Sequence, residues 1–286
     1  MKSRDALLLI APAAALYLFS FAAPLLMAGR LSLFSISAGR EMFVGLANYA
    51  KAFTDSDYLK SFGNVAWLVL FIAPLGIVIP YWLALFLQRF GRQMQSAGRF
   101  ICYVPSLTSG LIMALLWRWL LQRAGLINAM LAHIGLPAIA WIGEPWPARV
   151  AVAMVTLSSG SGMFVILFSA VILSIPQELR EAAFIDGATE RQYRRMVLRP
   201  ILMPTILLAL LLTVVGTLQS WELIYVLFPT GGPKAAVATP VYDIFMTAFM
   251  YSRPHLGAAK GILALGVIAA VVAAQRRVEA IAGAER

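Results

Sequence analysis

The sequence predicts an all-α integral membrane protein with six transmembrane helices. Hydrophobic residues make up 61% of its 286 residues, and charged residues make up only 13%. In soluble domains, roughly half of the residues are hydrophobic and about a quarter are charged. Six long apolar stretches follow one another along the chain, and a bilayer core requires about twenty such residues per helix. Most charged residues lie in the gaps between these stretches. We therefore predict one membrane domain over residues 1–286.

The six predicted spans follow these apolar stretches. The first, at residues 6–27, is preceded by Lys2 and Arg4, as a secretory signal would be. Its apolar run exceeds the roughly 7–15 residues of a signal core, so we predict a retained span. The other five are predicted at residues 62–87, 100–121, 150–173, 201–227 and 256–274.

The charges in the gaps predict the orientation in the membrane. The formal net charge of +10 would suggest a nucleic-acid partner for a soluble protein, but short basic loops beside anionic lipid explain it better. We expect membrane lipid and no nucleic acid as partners. Because basic residues favour the cytoplasmic side, the arginine-rich gaps place both termini in the cytoplasm. These arginines are Arg89, Arg92, Arg99, Arg180, Arg191, Arg194, Arg195, Arg199, Arg276 and Arg277.

The sequence carries no recognisable motif for catalysis or metal binding. Its one cysteine, Cys102, excludes an internal disulfide and a cysteine-based zinc site. The chain has no G-x-x-x-x-G-K-[ST] phosphate loop, and its predicted spans contain no serine–histidine–acid arrangement or paired carboxylates. We therefore expect no catalytic residues, no metal site and no bound cofactor in this chain.

The most informative stretch, residues 174–200, lies between the fourth and fifth predicted spans. Ser174 and Gln177 have the spacing of a capping box, and Pro176 suits a first helical turn. Gly187 can adopt the left-handed conformation that ends a helix. These signals predict a short helix before Gly187.

A second capping box, formed by Thr189 and Gln192, predicts another helix after that glycine. Tyr193, Met196 and Val197 then recur at helical spacing. The two helices are polar enough to lie outside the bilayer and have small apolar faces for docking. A helix-turn-helix DNA reader also has two short helices, but the tether between two spans makes groove docking implausible.

These residues resemble the permease subunits of binding-protein-dependent ABC importers, which carry a cytoplasmic Glu-Ala-Ala loop. Glu181-Ala182-Ala183, Asp186-Gly187-Ala188 and Pro200 match the pattern of that loop. Val197 is a conservative departure, whereas Arg199 places a charge at a usually apolar position. Shorter matches to the sugar and glycerol-phosphate branch of this family lie at residues 45–49, 103–106, 117–119, 125–128 and 230–233.

The resemblance implies the type I ABC importer permease fold, with residues 174–200 forming the loop that docks in a cleft of the ATP-hydrolysing subunit. It implies that Glu181 contacts a basic group of that subunit and that Ala182 and Ala183 form the close-packed face. Gly187 is implied as the turn, and Asp186 belongs to the same motif.

The resemblance also implies a function and a set of partners. The chain would be a permease subunit in a bacterial inner membrane that imports a sugar or sugar-like solute. The implied partners are a second homologous permease, a dimer of ATP-binding subunits and an extracytoplasmic solute-binding protein. ATP and Mg²⁺ would bind to the partner ATPase subunits.

Glu222 is the clearest acid inside a predicted span. An ionisable group at membrane depth is costly and usually faces a cavity or a partner. Together with Gln219, Ser220, Trp221 and Tyr225, it offers hydrogen-bonding groups and flat apolar faces for a sugar ring. The alternative is that Glu222 is hydrated at the outer interface, where Trp221 and Tyr225 would be anchoring aromatic residues.

An ion-coupled secondary transporter or a channel is the alternative function. Such proteins are expected to carry several ionisable groups inside the membrane. The predicted spans offer chiefly Glu222, and this alternative leaves the Glu-Ala-Ala match unexplained.

Overall fold

The computed structural model describes residues 3–37 and 40–284, and side chains within residues 10–36 and 40–277. These residues are predominantly helical, with one short β-hairpin. The chain divides into two compact units. Unit one comprises Met1–Lys60 with Asp243–Ala269, and unit two comprises Ser61–Tyr242 with Ala270–Arg286. Helices α4 and α14 each contribute to both units. The prediction of a single domain stays a prediction.

Unit one begins with a long apolar helix and then forms the hairpin. The strands pair antiparallel, with Phe34 opposite Phe43. The hydropathy pattern did not indicate this hairpin, because each strand has only four residues. The elements that contribute to this unit are α1 (Ser3–Tyr17), a π-helical turn (Leu18–Ala22), α2 (Ala23–Ser32), β1 (Phe34–Ser37), β2 (Arg40–Phe43), α3 (Ala47–Thr54), the start of α4 (Ser56–Leu87), the end of α13 (Pro240–Phe245), a second π-helical turn (Met246–Met250) and α14 (Pro254–Ala284).

Unit two contains the helices around the candidate sites. Helices α5 and α8 approach closely at Gly162, where a Cβ atom would overlap the carbonyl group of Cys102. A larger residue at Gly162 would therefore force the two backbones apart. The further elements are α5 (Arg92–Leu107), α6 (Gly110–Leu120), α7 (Leu126–His133), α8 (Pro145–Ser174), α9 (Gln177–Ile185), α10 (Glu190–Tyr193), a π-helical turn (Arg194–Leu198), α11 (Arg199–Gln219), α12 (Glu222–Leu227) and a 3₁₀ turn (Pro233–Ala235).

The described helices include five that are long and apolar enough to cross a membrane, or six if one bent pair counts as a span. Among the described residues, the five spans are Ile10–Ser32, Ser56–Leu87, Pro145–Ser174, Glu190–Gln219 and Pro254–Arg277. The bent pair consists of Arg92–Leu107 and Gly110–Leu120. The predicted fold class is confirmed, although two of the predicted spans are not single helices.

The predicted third span, residues 100–121, is broken between α5 and α6. The two helices meet at an angle of 96°. Thr108 and Ser109 have extended backbone conformations, with ψ angles of 137° and 140°. Because the stretch is apolar throughout, its composition did not indicate this break.

The predicted fifth span, residues 201–227, is also interrupted. Helix α11 ends at Gln219, and α12 begins at Glu222. The Ser220 hydroxyl donates to the carbonyl oxygen of Thr217 at 2.8 Å. Serine side chains compete with the backbone for such acceptors and thereby weaken helices.

A buried lysine organises unit one, and the sequence analysis did not identify it. Lys260 lies in α14, within the sixth span, and is only 1% exposed. Its ammonium group contacts Asp55 at 2.8 Å and Asp243 at 2.5 Å, and it donates to the Thr247 hydroxyl at 2.9 Å. The Tyr58 ring centroid lies 5.2 Å from the ammonium nitrogen. A lysine in an apolar stretch was a usable sign of such a cluster.

Asp55 and Asp243 respond differently to the same ammonium group. Burial acts to raise the pKa of Asp55, but Lys260 and the backbone N–H groups of Tyr58 and Asp57 outweigh it and lower that pKa. Asp243 is more deeply buried, so the loss of solvation outweighs the attraction of Lys260 and raises the pKa of Asp243. The Asp55 contribution to stability is therefore present at neutral pH and is lost as the pH falls through its folded pKa.

Replacing Lys260 with methionine should destabilise the chain by about 3 kcal/mol or more, because two carboxylates lose their counter-charge. The measurement is thermal unfolding of the purified chain in detergent. Lys60→Met is the matched control, since Lys60 forms only an exposed pair with Asp57 at 3.8 Å and such pairs contribute little. Equal melting temperatures for the two variants would contradict a stabilising role for Lys260.

Candidate functional site

The segment at residues 174–200 contains one short helix, α9, as predicted, but the second predicted short helix is the beginning of the long run Glu190–Gln219. The first helix also begins differently from the prediction. Ser174 is the last residue of α8, and its hydroxyl donates to the Val171 carbonyl oxygen. Helix α9 begins after Pro176, which occupies the N-cap position and supplies no side-chain cap. The predicted Ser174–Gln177 capping box is therefore wrong, as is the placement of Pro176 in the first turn, because α8 extends far enough to include Ser174.

The turn at Gly187 has the predicted left-handed conformation. Its φ angle is +81°, a value that residues with a Cβ atom rarely adopt. The N–H of Ala188 donates to the Ala183 carbonyl oxygen at 2.9 Å, and the N–H of Gly187 donates to that of Phe184 at 3.1 Å. These bonds satisfy carbonyl groups at the end of α9. Among the described residues, no atom other than those of its chain neighbours lies within 4 Å of a Cβ built on Gly187, so the glycine is required by its φ angle rather than by space.

The capping box predicted at the second helix is confirmed. The N–H of Gln192 donates to the Thr189 hydroxyl at 3.3 Å, and the N–H of Thr189 donates to the Gln192 side-chain oxygen at 2.7 Å. Helix α10 then continues through the π-helical turn into α11. Glu190–Gln219 is consequently one apolar helical run of 30 residues.

One face of α9 packs against its own chain. Ala183 is half-buried against a hydrophobic cluster that includes Ala84, Phe168 and Tyr193. The rings of Phe184 and Tyr193 lie 5.9 Å apart. This face holds α9 against the ends of the membrane helices.

An ionic bridge adds a second attachment between α9 and the following helices. Glu190 contacts Arg180 at 3.6 Å and Arg194 at 3.0 Å. The Arg180 guanidinium group also lies over the Phe184 and Tyr193 rings, at 5.6 and 6.0 Å from their centroids. Local spacing did not indicate this bridge, because Arg180 and Glu190 are ten positions apart and meet only once the chain turns at Gly187.

The opposite face of α9 is open. Glu181 and Ala182 are exposed, and Ile185 is 85% exposed. Glu181 accepts a hydrogen bond from the Gln177 amide at 2.7 Å, and Asp186 is exposed beside the turn. A large exposed apolar side chain next to an acidic group is typical of an interaction surface. Ile185 is an additional candidate contact that the motif did not indicate.

The residues singled out as a solute site lie at the break between α11 and α12. Gln219 and Glu222 are exposed, and Ser220, Trp221 and Tyr225 are half-buried. The Ser220 carbonyl oxygen, which is left without a helical partner, accepts a hydrogen bond from the Thr239 hydroxyl at 3.3 Å. The structure therefore gathers all five residues around one helix break.

The second half of the bent span, α6, meets α12 at this place. The Glu222 carboxylate lies 3.9 Å from the position of a Cβ on Gly110, at the start of α6. Farther along, the Arg118 guanidinium group donates to the Val226 carbonyl oxygen of α12 at 3.1 Å. Helices α6 and α12 thus run side by side, with their first residues next to each other. In transporters, discontinuous helices of this kind form solute sites.

Thr189→Ala should weaken the start of α10 by about 1 kcal/mol, since it removes the cap. Hydrogen exchange of the Gln192 amide should become roughly five-fold faster. Ser174→Ala is the control, because the Ser174 hydroxyl bonds within α8. Faster exchange at the start of α9 in the Ser174 variant would instead support the capping box that the structure rejects.

Comparison with known proteins places this geometry in a family. Residues 76–280 match the family described as binding-protein-dependent transport system inner membrane component. The diacetylchitobiose uptake system permease protein of Streptomyces coelicolor is 30% identical over 242 residues, which cover 80% of this chain and 67% of that protein. The arabinooligosaccharides transport system permease protein of Bacillus subtilis is 25% identical over 269 residues, which cover 92% of this chain and 85% of that protein.

A solved structure has the same fold. A chain of a bacterial ABC transporter involved in the import of the acidic polysaccharide alginate superposes with a TM-score of 0.81 at 25% identity, covering 96% of each chain. The resemblance in the Glu-Ala-Ala segment and the match over residues 76–280 agree with this structural likeness. The chain belongs to the family of inner membrane components of binding-protein-dependent transport systems.

Proposed function

We propose that this chain is a permease subunit of an ATP-driven ABC importer for a sugar or sugar-like solute. The observation that carries the proposal is the geometry of α9, which is attached through Ala183 and Glu190 and leaves Glu181, Ala182 and Ile185 open. A helix held on one face and exposed on the other can transmit a partner's movement. The names of the relatives, which refer to diacetylchitobiose and arabinooligosaccharides, support the solute class.

The partner at α9 is an ATP-hydrolysing subunit, and ATP and Mg²⁺ bind there rather than to this chain. Glu181 contacts a basic group of that subunit, Ala182 permits close approach, and Gly187 and Asp186 form the turn, while Ala183 packs inward and attaches α9 to its own chain. The arginines around the loop support a cytoplasmic location for it, and both termini then lie in the cytoplasm. A dimer of ATPase subunits acts on this chain and on a second, homologous permease.

The solute path lies beside the break between α11 and α12. An exposed carboxylate in contact with lipid would be costly, so Glu222 faces a water-filled cavity or the second permease. Gln219, Ser220 and Glu222 provide hydrogen-bonding groups, and Trp221 and Tyr225 provide rings for the face of a sugar. An extracytoplasmic binding protein delivers the solute; a related solved transporter was crystallised with its alginate pentasaccharide-bound periplasmic protein.

The ion-coupled alternative is not favoured. Lys260 adds an ionisable group inside a span, but its ammonium group is bonded to Asp55, Asp243 and Thr247. A charge held in this way stabilises the structure and is poorly placed to exchange ions.

Gly187→Val should impair stimulation of the ATPase while leaving membrane insertion intact. A residue with a Cβ atom is destabilised by roughly 1–2 kcal/mol in the left-handed backbone conformation. Relief of that strain would change the backbone at position 187 and thereby the direction of α10. The measurement is solute-stimulated ATPase activity of the reconstituted transporter. Gly91→Val is the control, because Gly91 also has open space around it but has an ordinary φ of −65°. Normal stimulation in the Gly187 variant would count against the coupling role.

Glu222→Gln and Glu181→Gln should separate solute binding from coupling. Loss of a charged acceptor for the solute should weaken apparent affinity by about 1–3 kcal/mol, or roughly five- to 150-fold. At Glu181 the same change should lower the transport rate with little effect on affinity. The measurement is the concentration dependence of uptake. An unchanged half-saturation concentration in the Glu222 variant would remove Glu222 from the solute site and favour the hydrated-interface alternative.

A further inference from the structure

A cleft of about 810 Å³ lies beneath α9 in unit two. Its volume is in the range of small-molecule sites. Leu85, Ile172 and Leu173 provide an apolar side, where α4 and α8 end. Arg89 and Arg180 provide cationic groups on the polar side. The cleft is therefore amphipathic and lies at the ends of two membrane spans.

The acidic groups in the cleft do not occupy all the N–H donors of its arginines. Glu190 is shared by Arg180 and Arg194, but the contact with Arg180 is long, at 3.6 Å. Glu181 also lines the edge of the cleft and keeps its negative charge, since its partner there is the neutral Gln177 amide. Arg89 is exposed, and no ion pair involves it among the residues whose side chains are described. An anion entering the cleft would find the guanidinium groups of Arg89 and Arg180 with free hydrogen-bonding capacity.

Gln88 provides an independent indication of a ligand. It also lines the cleft, and its side-chain Nε2 atom is buried without a hydrogen-bond acceptor in the described part of the chain. A buried amide donor without an acceptor is unfavourable unless something binds to it. The atom itself is closed to the cleft, so a ligand oxygen bound to the two arginines would reach it once the Gln88 side chain turns toward the cleft.

We propose that this cleft binds the phosphate headgroup of an anionic phospholipid, with the acyl chains along Leu85 and Leu173. Basic pockets between membrane helices on the cytoplasmic side bind such headgroups. A free phosphate ion shares the headgroup chemistry but would make no use of the apolar side. The cytoplasmic location rests on the proposed function. A lipid held here would link α9 to α4 and thereby set how firmly the loop is attached.

The test is native mass spectrometry of the full-length purified chain titrated with phosphatidylglycerol or with phosphatidylcholine. Phosphatidylglycerol should be retained at least about ten-fold more tightly, since two arginines favour the anionic headgroup. Arg89→Gln and Arg180→Gln should each weaken its retention by about five-fold. Arg92→Gln is the matched control, because Arg92 is exposed three positions after Arg89 and does not line the cleft. An equal loss in the control would overturn the proposal, as it would indicate a general basic surface.

Gln88→Leu distinguishes a ligand site from a merely structural role. Leucine removes a buried amide without an acceptor, so the melting temperature should rise while phosphatidylglycerol retention falls. Unchanged retention in this variant would overturn the assignment of Gln88 to the headgroup.

Two further titrations identify the occupant. Competition by millimolar inorganic phosphate would overturn the lipid assignment in favour of a soluble anion. Loss of the bound lipid when the ATPase subunits are added would show that the cleft belongs to that interface. Retention in the assembled transporter supports the lipid site. None of these measurements depends on transport or ATP hydrolysis, so a failed lipid site would leave the proposed transport function untouched.

Discussion

Backbone hydrogen bonding inside the membrane is the constraint on which this structure depends. A bilayer core offers no water to unpaired N–H and C=O groups, so a helix can break there only beside protein or a polar cavity. One span is bent at Thr108–Ser109, and another, Glu190–Gln219, ends just before a second helix break at Ser220–Trp221. Side chains supply bonds close to the second break, since Thr239 donates to the Ser220 carbonyl oxygen and Arg118 to that of Val226. The breaks are therefore supported features of the fold.

Two charged side chains in or next to the membrane spans have different surroundings. Lys260 is fully buried, and its ammonium group has three oxygen partners, so its charge contributes to the packing of unit one. Glu222 is exposed at a helix break, and no salt bridge to it occurs within the described side chains. The first arrangement stabilises a structure, whereas the second leaves an acceptor for a ligand or a partner. This contrast favours Glu222 over Lys260 as a group that meets the solute.

One long helix connects the two candidate sites. Glu190, which pairs with Arg180 of α9, begins a helical run that ends at Gln219, beside Glu222. Thirty residues at about 1.5 Å each span roughly 45 Å, enough to cross a bilayer. A displacement of α9 can thus reach the helix break through a packed, continuous element, with the packing of Ala183 and Phe184 near Tyr193 as the main attachment. An occupant of the cleft beneath α9 would change the stiffness of that attachment.

The sequence by itself determined the membrane class, the approximate spans, the Gly187 turn, the second capping box and the family, because these depend on local composition and on short-range spacing. It also grouped Glu222 with its neighbours, although the span predicted to hold Glu222 ends at Gln219 in the structure. Only the tertiary structure decided where two of the predicted spans break, that Lys260 lies between two carboxylates, and that Arg180 and Glu190 meet. Those features depend on contacts between residues far apart in the chain, or on competition between a local signal and the packing around it. Ser174 is an example of such competition. Its spacing to Gln177 predicted a helix cap, but α8 extends far enough to include Ser174.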